Sequence, residues 1–371
     1  MTDSAVNEYQ CYYSRDQVSF DSHPLAEDNK AIPPLRASGT HQPPVPEGGT
    51  MFKTRVTQTL GIKYPIVGGT MASISNADFV AAISEAGGLG VLSSIMHQTK
   101  EDFAAALDRV RKLTDKPFAV NLNFFPARFP VSQSEYTEVM AEKGVKVVET
   151  SGHTAPPPDL CRRFKELGMI WIHKCAGARY AVKAEAMGAD IITVVGYENG
   201  GAVGNLGIGT LVMVPTVVQK LKVPLIGGGG VVDGHSFLAV LSLGAEGVIM
   251  GTRLLVTQEC PIHIKLKQAL VNATELDTMI IMRTVGAHRV WANGAARKCD
   301  EIEATGASFE EILTIASGEN SRRTYYEGEL DRGILSCGQG IGQVHDIPTV
   351  KQLFDGMVKQ ASDLVTKLAK S

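Results

Sequence analysis

From about residue 55 the chain alternates between short apolar runs and longer amphipathic ones. "YPIVGG" gives way to "NADFVAAISEAG", "GLGVLSS" to "KEDFAAALDRVRKL", "PFAVNLNFF" to "SEYTEVMAEKG", and "VKVVETSG" to "PDLCRRFKELG". "MIWIHKC" leads to "ARYAVKAEAMG", "ADIITVVG" to "LVMVPTVVQKL", "VPLIGGGG" to "HSFLAVLSLG", and "AEGVIMGT" is the last short run. Short runs that are apolar on both faces predict strands of a sheet covered on both sides. Alternation with helical patterns predicts βαβ units and a parallel sheet. Eight such units in about 200 residues fit an α/β fold of the (β/α)8 TIM barrel type. The alternative is an open, doubly wound sheet, which usually carries GxGxxG after its first strand; none stands there.

The flanks follow other patterns. Residues 1–52 include "AIPPLRASGTHQPPVPEGGT", rich in Pro, Gly and Ser without a hydrophobic period, which predicts an extended or disordered arm. Whether that arm drapes over a neighbouring subunit of a homo-oligomer is left open. The barrel is expected over 53–257. Residues 258–340 show no clear strand run and read as a mostly helical accessory lobe, in which Ser308 and Glu311 form a capping box. Residues 341–371 hold a long amphipathic helix, started by Thr349 and Gln352 and returning to the barrel.

Composition narrows the function. The 371 residues are 44% hydrophobic, enough for a sizeable core. A net charge of −3 without clustered Lys and Arg argues against nucleic acid. No apolar run approaches the roughly 20 residues of a membrane span, and "MTDSAVNEYQ" has no signal-peptide pattern. The six cysteines are scattered without a CxxC pair, so reduced thiols in a cytoplasmic protein are expected, and no metal site.

In such a barrel the chemistry sits at the C-terminal ends of the strands. After the first come Gly68, Gly69, Thr70 and Met71, and after the third Asn121 and Asn123. His153 follows the fourth, and His173, Lys174 and Cys175 end the fifth. The sixth feeds "GYENGGAVGNLGIG", the seventh ends in Gly227 to Gly230 and the eighth in Gly251 and Thr252. Glycine lets backbone amides approach a bulky anion. The loops after strands seven and eight are where barrels commonly hold a phosphate. The plainer alternative is three tight turns; their clustering favours phosphate. Lys174 ends an apolar strand, where a cation needs an anion or a polar ring. Asn121 is a short amide in a run that is otherwise buried. His173 should face away from the lumen, and His153 should overhang the mouth. "CGQGIG" at 337–342 lacks the strand–turn–helix context of a nucleotide loop.

"YPIVGGTM", "AGGLGVLSS", "KPFAVNLN", "IHKC", "ENGGAVG", "GGGVVDG" and "EGVIMGTR", in this order, resemble the nitronate monooxygenases. These are FMN-dependent barrels related to flavin-dependent enoyl reductases. The likeness runs from about 53 to 365. "GELDRGILSCGQGIGQVHDIPTV" is similar to a branch in which several members act on CoA thioesters rather than on nitronates. The resemblance implies FMN phosphate on the backbone of Gly229, Gly230, Gly251 and Thr252, with Gly200 and Gly201 approaching the same cofactor. It puts Asn121 and Lys174 against the flavin, and Gly69 and Met71 at its ring. Family members typically read Glu-x-Gly-Gly-His-x-Gly after the sixth strand, and that His is their proposed acid or base. Here Glu198, Gly200, Gly201 and Gly204 match, but the histidine position is Ala202. The implied activity is an FMN-dependent oxidoreductase acting on a small molecule, a nitronate or an acyl thioester, with His153 as the nearest candidate for the missing acid or base. A flavin-binding protein with a non-redox or isomerase role is the third possibility.

Overall fold

The computed structural model describes residues 52–124, 131–152, 155–283 and 286–371. The expectations for the N-terminal arm over 1–51 and for His153 fall outside these residues.

All eight predicted runs are strands. They are β1 (Ile66–Gly68), β2 (Gly90–Ser93), β3 (Phe118–Phe124), β4 (Val147–Gly152), β5 (Ile170–Cys175) and β6 (Ile191–Val195), then β8 (Leu225–Gly228) and β9 (Gly247–Met250). A two-residue strand, β7 (Gly201–Ala202), lies between β6 and β8 and does not join them. Every neighbouring pair of the eight is parallel. A parallel bridge between Val67 and Leu89 joins β1 to β2 and closes the (β/α)8 barrel.

The helices on the outer wall begin where short polar side chains cap them. Asn76, Thr99, Ser132 and Asp233 each accept the backbone N–H three residues on, satisfying a donor that the first helical turn leaves orphaned. Thr349 and Gln352 form the expected capping box of the last helix, Val350–Leu368. That helix packs against Gly234–Ser242 and Ala77–Glu85 on the barrel wall.

Period two along each strand separates two cores. Outward residues such as Leu92, Val148 and Trp171 pack under the helices. Inward residues Val67, Val91, Ala119, Val147, Ile172, Ile191, Ile226 and Ile249 plug the lumen. His173 faces outward, as expected. Its Nδ1 lies 2.8 Å from Thr150 Oγ1, which also accepts from Trp171 Nε1 at 2.8 Å.

Between 258 and 340 the residue pattern announces no strand, yet the chain forms β10 (Thr278–Ile281) and β11 (His288–Trp291), an antiparallel pair. Each is four residues long, and Arg289 and His288 interrupt the apolar pattern, so neither reads as a strand alone. Long-range pairing decides the conformation: β11 also pairs with β7, setting His288 opposite Ala202 and Arg289 opposite Gly201. The rest of the lobe is helical, including Phe309–Ala316 with its Ser308–Glu311 capping box.

Candidate active site

The next inward position on each strand, two residues beyond the apolar plug, changes character. It is Gly69 on β1, Ser93 on β2, Asn121 on β3, Glu149 on β4, Lys174 on β5, Thr193 on β6, Gly228 on β8 and Gly251 on β9. One side of the mouth is therefore polar and the other is glycine.

Glu149 organises the polar side. It is fully buried, and its Oε1 accepts from Asn121 Nδ2 at 2.7 Å, Thr70 Oγ1 at 2.8 Å and Lys174 Nζ at 3.1 Å. Three barrel elements thus converge on an oxygen carried by a fourth. Asn121 also donates to Ser151 Oγ at 3.0 Å. Glu149 Oε2 and the Thr193 hydroxyl are buried with no hydrogen-bond partner among the described residues. Two such atoms in one polar wall mark a surface built for a ligand with hydrogen-bonding groups of its own. The sequence reading identified Asn121 and Lys174 but passed over Glu149. An acid inside "VKVVETSG", in a strand buried on both faces, was the available signal.

The glycine side makes room. Gly229 and Gly230 have φ of +100° and +75°, a region that side chains disfavour. A Cβ on Gly229 would come within 2.6 Å of Thr210 Oγ1. A Cβ on Gly251 would meet nothing within 4 Å, so the lumen wall is open there. The backbone N–H groups of Gly229, Gly230, Gly251 and Thr252 find no acceptor among the described residues. These amides form a cradle suited to an oxyanion such as phosphate. Thr252 Oγ1 accepts from Gly338 N at 2.8 Å and keeps its proton to donate. Gly69 N donates to Met250 O at 2.7 Å, and Met71 N to Ser75 Oγ at 2.9 Å, fixing the turn after β1.

The loop after β6 is braced rather than armed. Glu198, its one acid, accepts the Thr210 N–H at 3.0 Å and caps the helix Thr210–Val218, whose own N-cap position is Gly209. Gly200 is pressed against Cys337 and Gly338, where a Cβ would come within 2.7 Å of their backbone. Gln339 N donates to Glu198 O at 2.9 Å. "CGQGIG" is therefore a clamp on this loop. Gly201 and Ala202 lie in β7, and Ala202 presents no titratable group.

The lobe sits against the mouth. The Tyr326 hydroxyl donates to Ser73 O in the turn after β1. A cavity of about 640 Å³ lies between the β6 loop and the β10–β11 hairpin, lined by Tyr197, Gly204, Asn205, Thr278, Ile280 and Arg289 among others. Among the described residues no cluster of His, Cys, Asp or Glu is arranged to hold a metal, and no helix is long and apolar enough to cross a membrane. Cys161, Cys175, Cys260, Cys299 and Cys337 are free and buried. Burial pushes the Cys175 thiol up to about 11 and Cys337 to about 12, which keeps them unreactive.

Known proteins share this architecture. FabK from Thermotoga maritima is 33% identical, with a TM-score of 0.78 over 86% of this chain and 99% of its own. The (3aS,4S,5R,7aS)-5-hydroxy-7a-methyl-1-oxo-octahydro-1H-indene-4-carboxyl-CoA dehydrogenase of Rhodococcus jostii is 29% identical over 84% of this chain and 96% of its own length. A probable nitronate monooxygenase of Staphylococcus aureus is 30% identical over 62% of this chain and 75% of its own. The nitronate monooxygenase family model matches residues 53–360, from the first barrel helix through the lobe to the closing helix. The chain belongs to the nitronate monooxygenase family of flavin-dependent oxidoreductases.

Proposed function

We propose that the protein is an FMN-dependent oxidoreductase that oxidises a nitronate-type substrate. The observation that carries this reading is the cradle of unengaged amides at Gly229, Gly230, Gly251 and Thr252, set across the mouth from Lys174 and Asn121. The cradle suits one terminal phosphate. Gly200 and Gly201 would approach the same cofactor, Asn121 and Lys174 would contact the flavin, and Gly69 and Met71 would border its ring. Bound there, the flavin supplies the two-electron redox chemistry.

The chain's own residues set what can react. Lys174 is held in place by Glu149, so its ammonium cannot swing into solvent without abandoning a buried carboxylate. Ala202 moves no proton. A nitronate has already lost its α-proton, so it needs no base from this position. A neutral nitroalkane does, and lacking a general base typically costs about 10²–10⁴-fold.

An acyl or enoyl thioester is the second reading. It is favoured by the cavity under the lobe, which is larger than a small nitronate requires, and by the full-length match to a CoA-ester dehydrogenase. Proton transfer there falls to His153, by its place after β4, or to water.

The test is direct. Protein purified with added FMN is denatured and the released flavin chromatographed. The loaded protein is then mixed anaerobically with propyl-2-nitronate, butyryl-CoA, NADH or NADPH and flavin bleaching is followed, and flavin reduced by NADH, NADPH or dithionite is mixed with crotonyl-CoA and its reoxidation followed. FMN release with bleaching by the nitronate supports the first reading. Bleaching by butyryl-CoA or reoxidation by crotonyl-CoA, without bleaching by the nitronate, moves the assignment to the second. A colourless protein that takes up no FMN overturns both.

A further inference from the structure

Arg289 is a buried cation without a counter-charge among the described residues. It is 5% exposed, and no carboxylate among the described residues reaches ion-pair distance of its guanidinium. Its Nε and Nη2 donate to the Tyr197 carbonyl at 3.3 and 3.2 Å, and Nη1 to Thr278 Oγ1 at 3.2 Å. The guanidinium lies 4.9 Å from the centre of the Tyr197 ring. These contacts fix its orientation and use three of its five N–H groups, leaving two in hand. Burial pushes the guanidinium below its ordinary value, and Tyr197, Glu198 and Cys337 oppose that only in part. Glu198 is spent on Thr210. The contrast is Arg253, equally buried at 5% exposed but paired with Asp346. A buried, oriented, uncompensated arginine is costly unless an anion completes it.

The surroundings supply the place for that anion. Arg289 lines the cavity of about 640 Å³ between the β6 loop and the lobe hairpin. Arg283 at the rim already pairs with Asp300 at 2.6 Å. Gly204, in the lining, neighbours Ala176, the residue that follows β5: a Cβ on Gly204 would come within 3.5 Å of the Ala176 carbonyl oxygen.

We propose that this cavity is a second substrate subsite, in which Arg289 grips an oxyanion, carboxylate or phosphate, borne by the substrate away from its reacting carbon. This rests on the oxidoreductase reading for the word substrate, but the anion site itself does not depend on a flavin. It divides the labour at the mouth, with the cofactor's anion on the glycine cradle and the substrate's anion on the lobe.

Calorimetric titration of FMN-loaded protein with coenzyme A, with pantetheine and with succinate tests it. Coenzyme A binding more tightly than pantetheine identifies phosphate as the recognised anion; succinate binding identifies carboxylate. In either case Arg289→Gln should weaken the anionic probe by about tenfold or more, Arg289→Lys should recover part of it, and FMN affinity should be unchanged. Ile280→Trp, which fills the cavity and leaves Arg289 in place, should also abolish probe binding, and it covers the case in which Arg289→Gln fails to fold. No binding of either anion at millimolar concentration, or equal binding in wild type and variants, overturns the proposal. So does loss of FMN affinity in Arg289→Gln, which would assign the guanidinium to the cofactor. Because calorimetry reports the anion even from protein that takes up no flavin, failure of the FMN assignment is distinguishable.

Discussion

The barrel lumen has two successive inward tiers, and they differ in almost every respect. The lower tier, from Val67 round to Ile249, is aliphatic throughout. The upper tier, two residues further along each strand, is Gly69, Ser93, Asn121, Glu149, Lys174, Thr193, Gly228 and Gly251. Seven ångströms or so of strand separate them, at about 3.3 Å per residue. The lower tier makes the barrel rigid by filling it. The upper tier leaves polar atoms unpaired and glycines uncovered, at the cost of packing that the tier below supplies. The same strands thus serve stability and chemistry by alternating position.

Removing Lys174 should have the largest effect, because it strikes both roles. Lys174→Met leaves Glu149 buried without its counter-charge, at a cost of about 3–5 kcal/mol in denaturant unfolding, and FMN affinity should fall. Adding Glu149→Gln should restore much of the stability but not the flavin affinity. If the double variant recovers both, the upper tier is a structural plug like the lower one.

Ile226→Ala tests the lower tier. It should cost about 2–5 kcal/mol through the cavity left in a dry core, with FMN affinity unchanged once the protein is folded. A large loss of flavin binding by folded Ile226→Ala would break the separation between tiers.

His173 sits between Lys174 and Ile172 but faces outward, so it should affect stability and not chemistry. Burial lowers its pKa to about 4, below the ordinary value near 6.5. The unfolded chain therefore takes up this proton first as pH falls. Stability from the neutral ring is present above about pH 6.5 and is lost as pH falls towards 4, by on the order of 3 kcal/mol. His173→Gln should flatten that part of the stability–pH curve, while the pH dependence of flavin reduction stays as in wild type.

The smallest effect is expected at Ala202. Ala202→His should raise kcat/KM for a neutral nitroalkane by about tenfold at most, and raise that for the pre-formed nitronate less. The gain is limited because a base also needs neighbours to orient it. Equal use of both substrate forms by wild type would place the base elsewhere, with His153 first in line.

The lower tier and the strand order were legible in the sequence because apolar runs of period two admit few other readings. Five of the eight upper-tier positions, Gly69, Asn121, Lys174, Gly228 and Gly251, were legible too. Glycine at strand ends has few alternative explanations, and an Asn or Lys in an apolar run stands out. Ser93 ends β2 and looks like the start of a polar loop, and Thr193 sits in mid-strand in β6, where a β-branched threonine is unremarkable; Glu149, in mid-strand in β4, left a signal in its charge but none of its partners. Only the sheet register shows Glu149 beside Asn121. The β10–β11 hairpin and Arg289 were invisible for a different reason: their conformation is set by pairing with β7, almost ninety residues earlier.

That pairing has a consequence for how such proteins can change. The β6 loop belongs to the barrel by sequence but is hydrogen-bonded into the sheet of the lobe. Exchanging lobes between relatives to alter substrate choice would leave β7 facing a strange edge and Gly200 facing a strange clamp. The transferable module is the lobe together with residues 197–205, two segments that must be inherited, or engineered, as one.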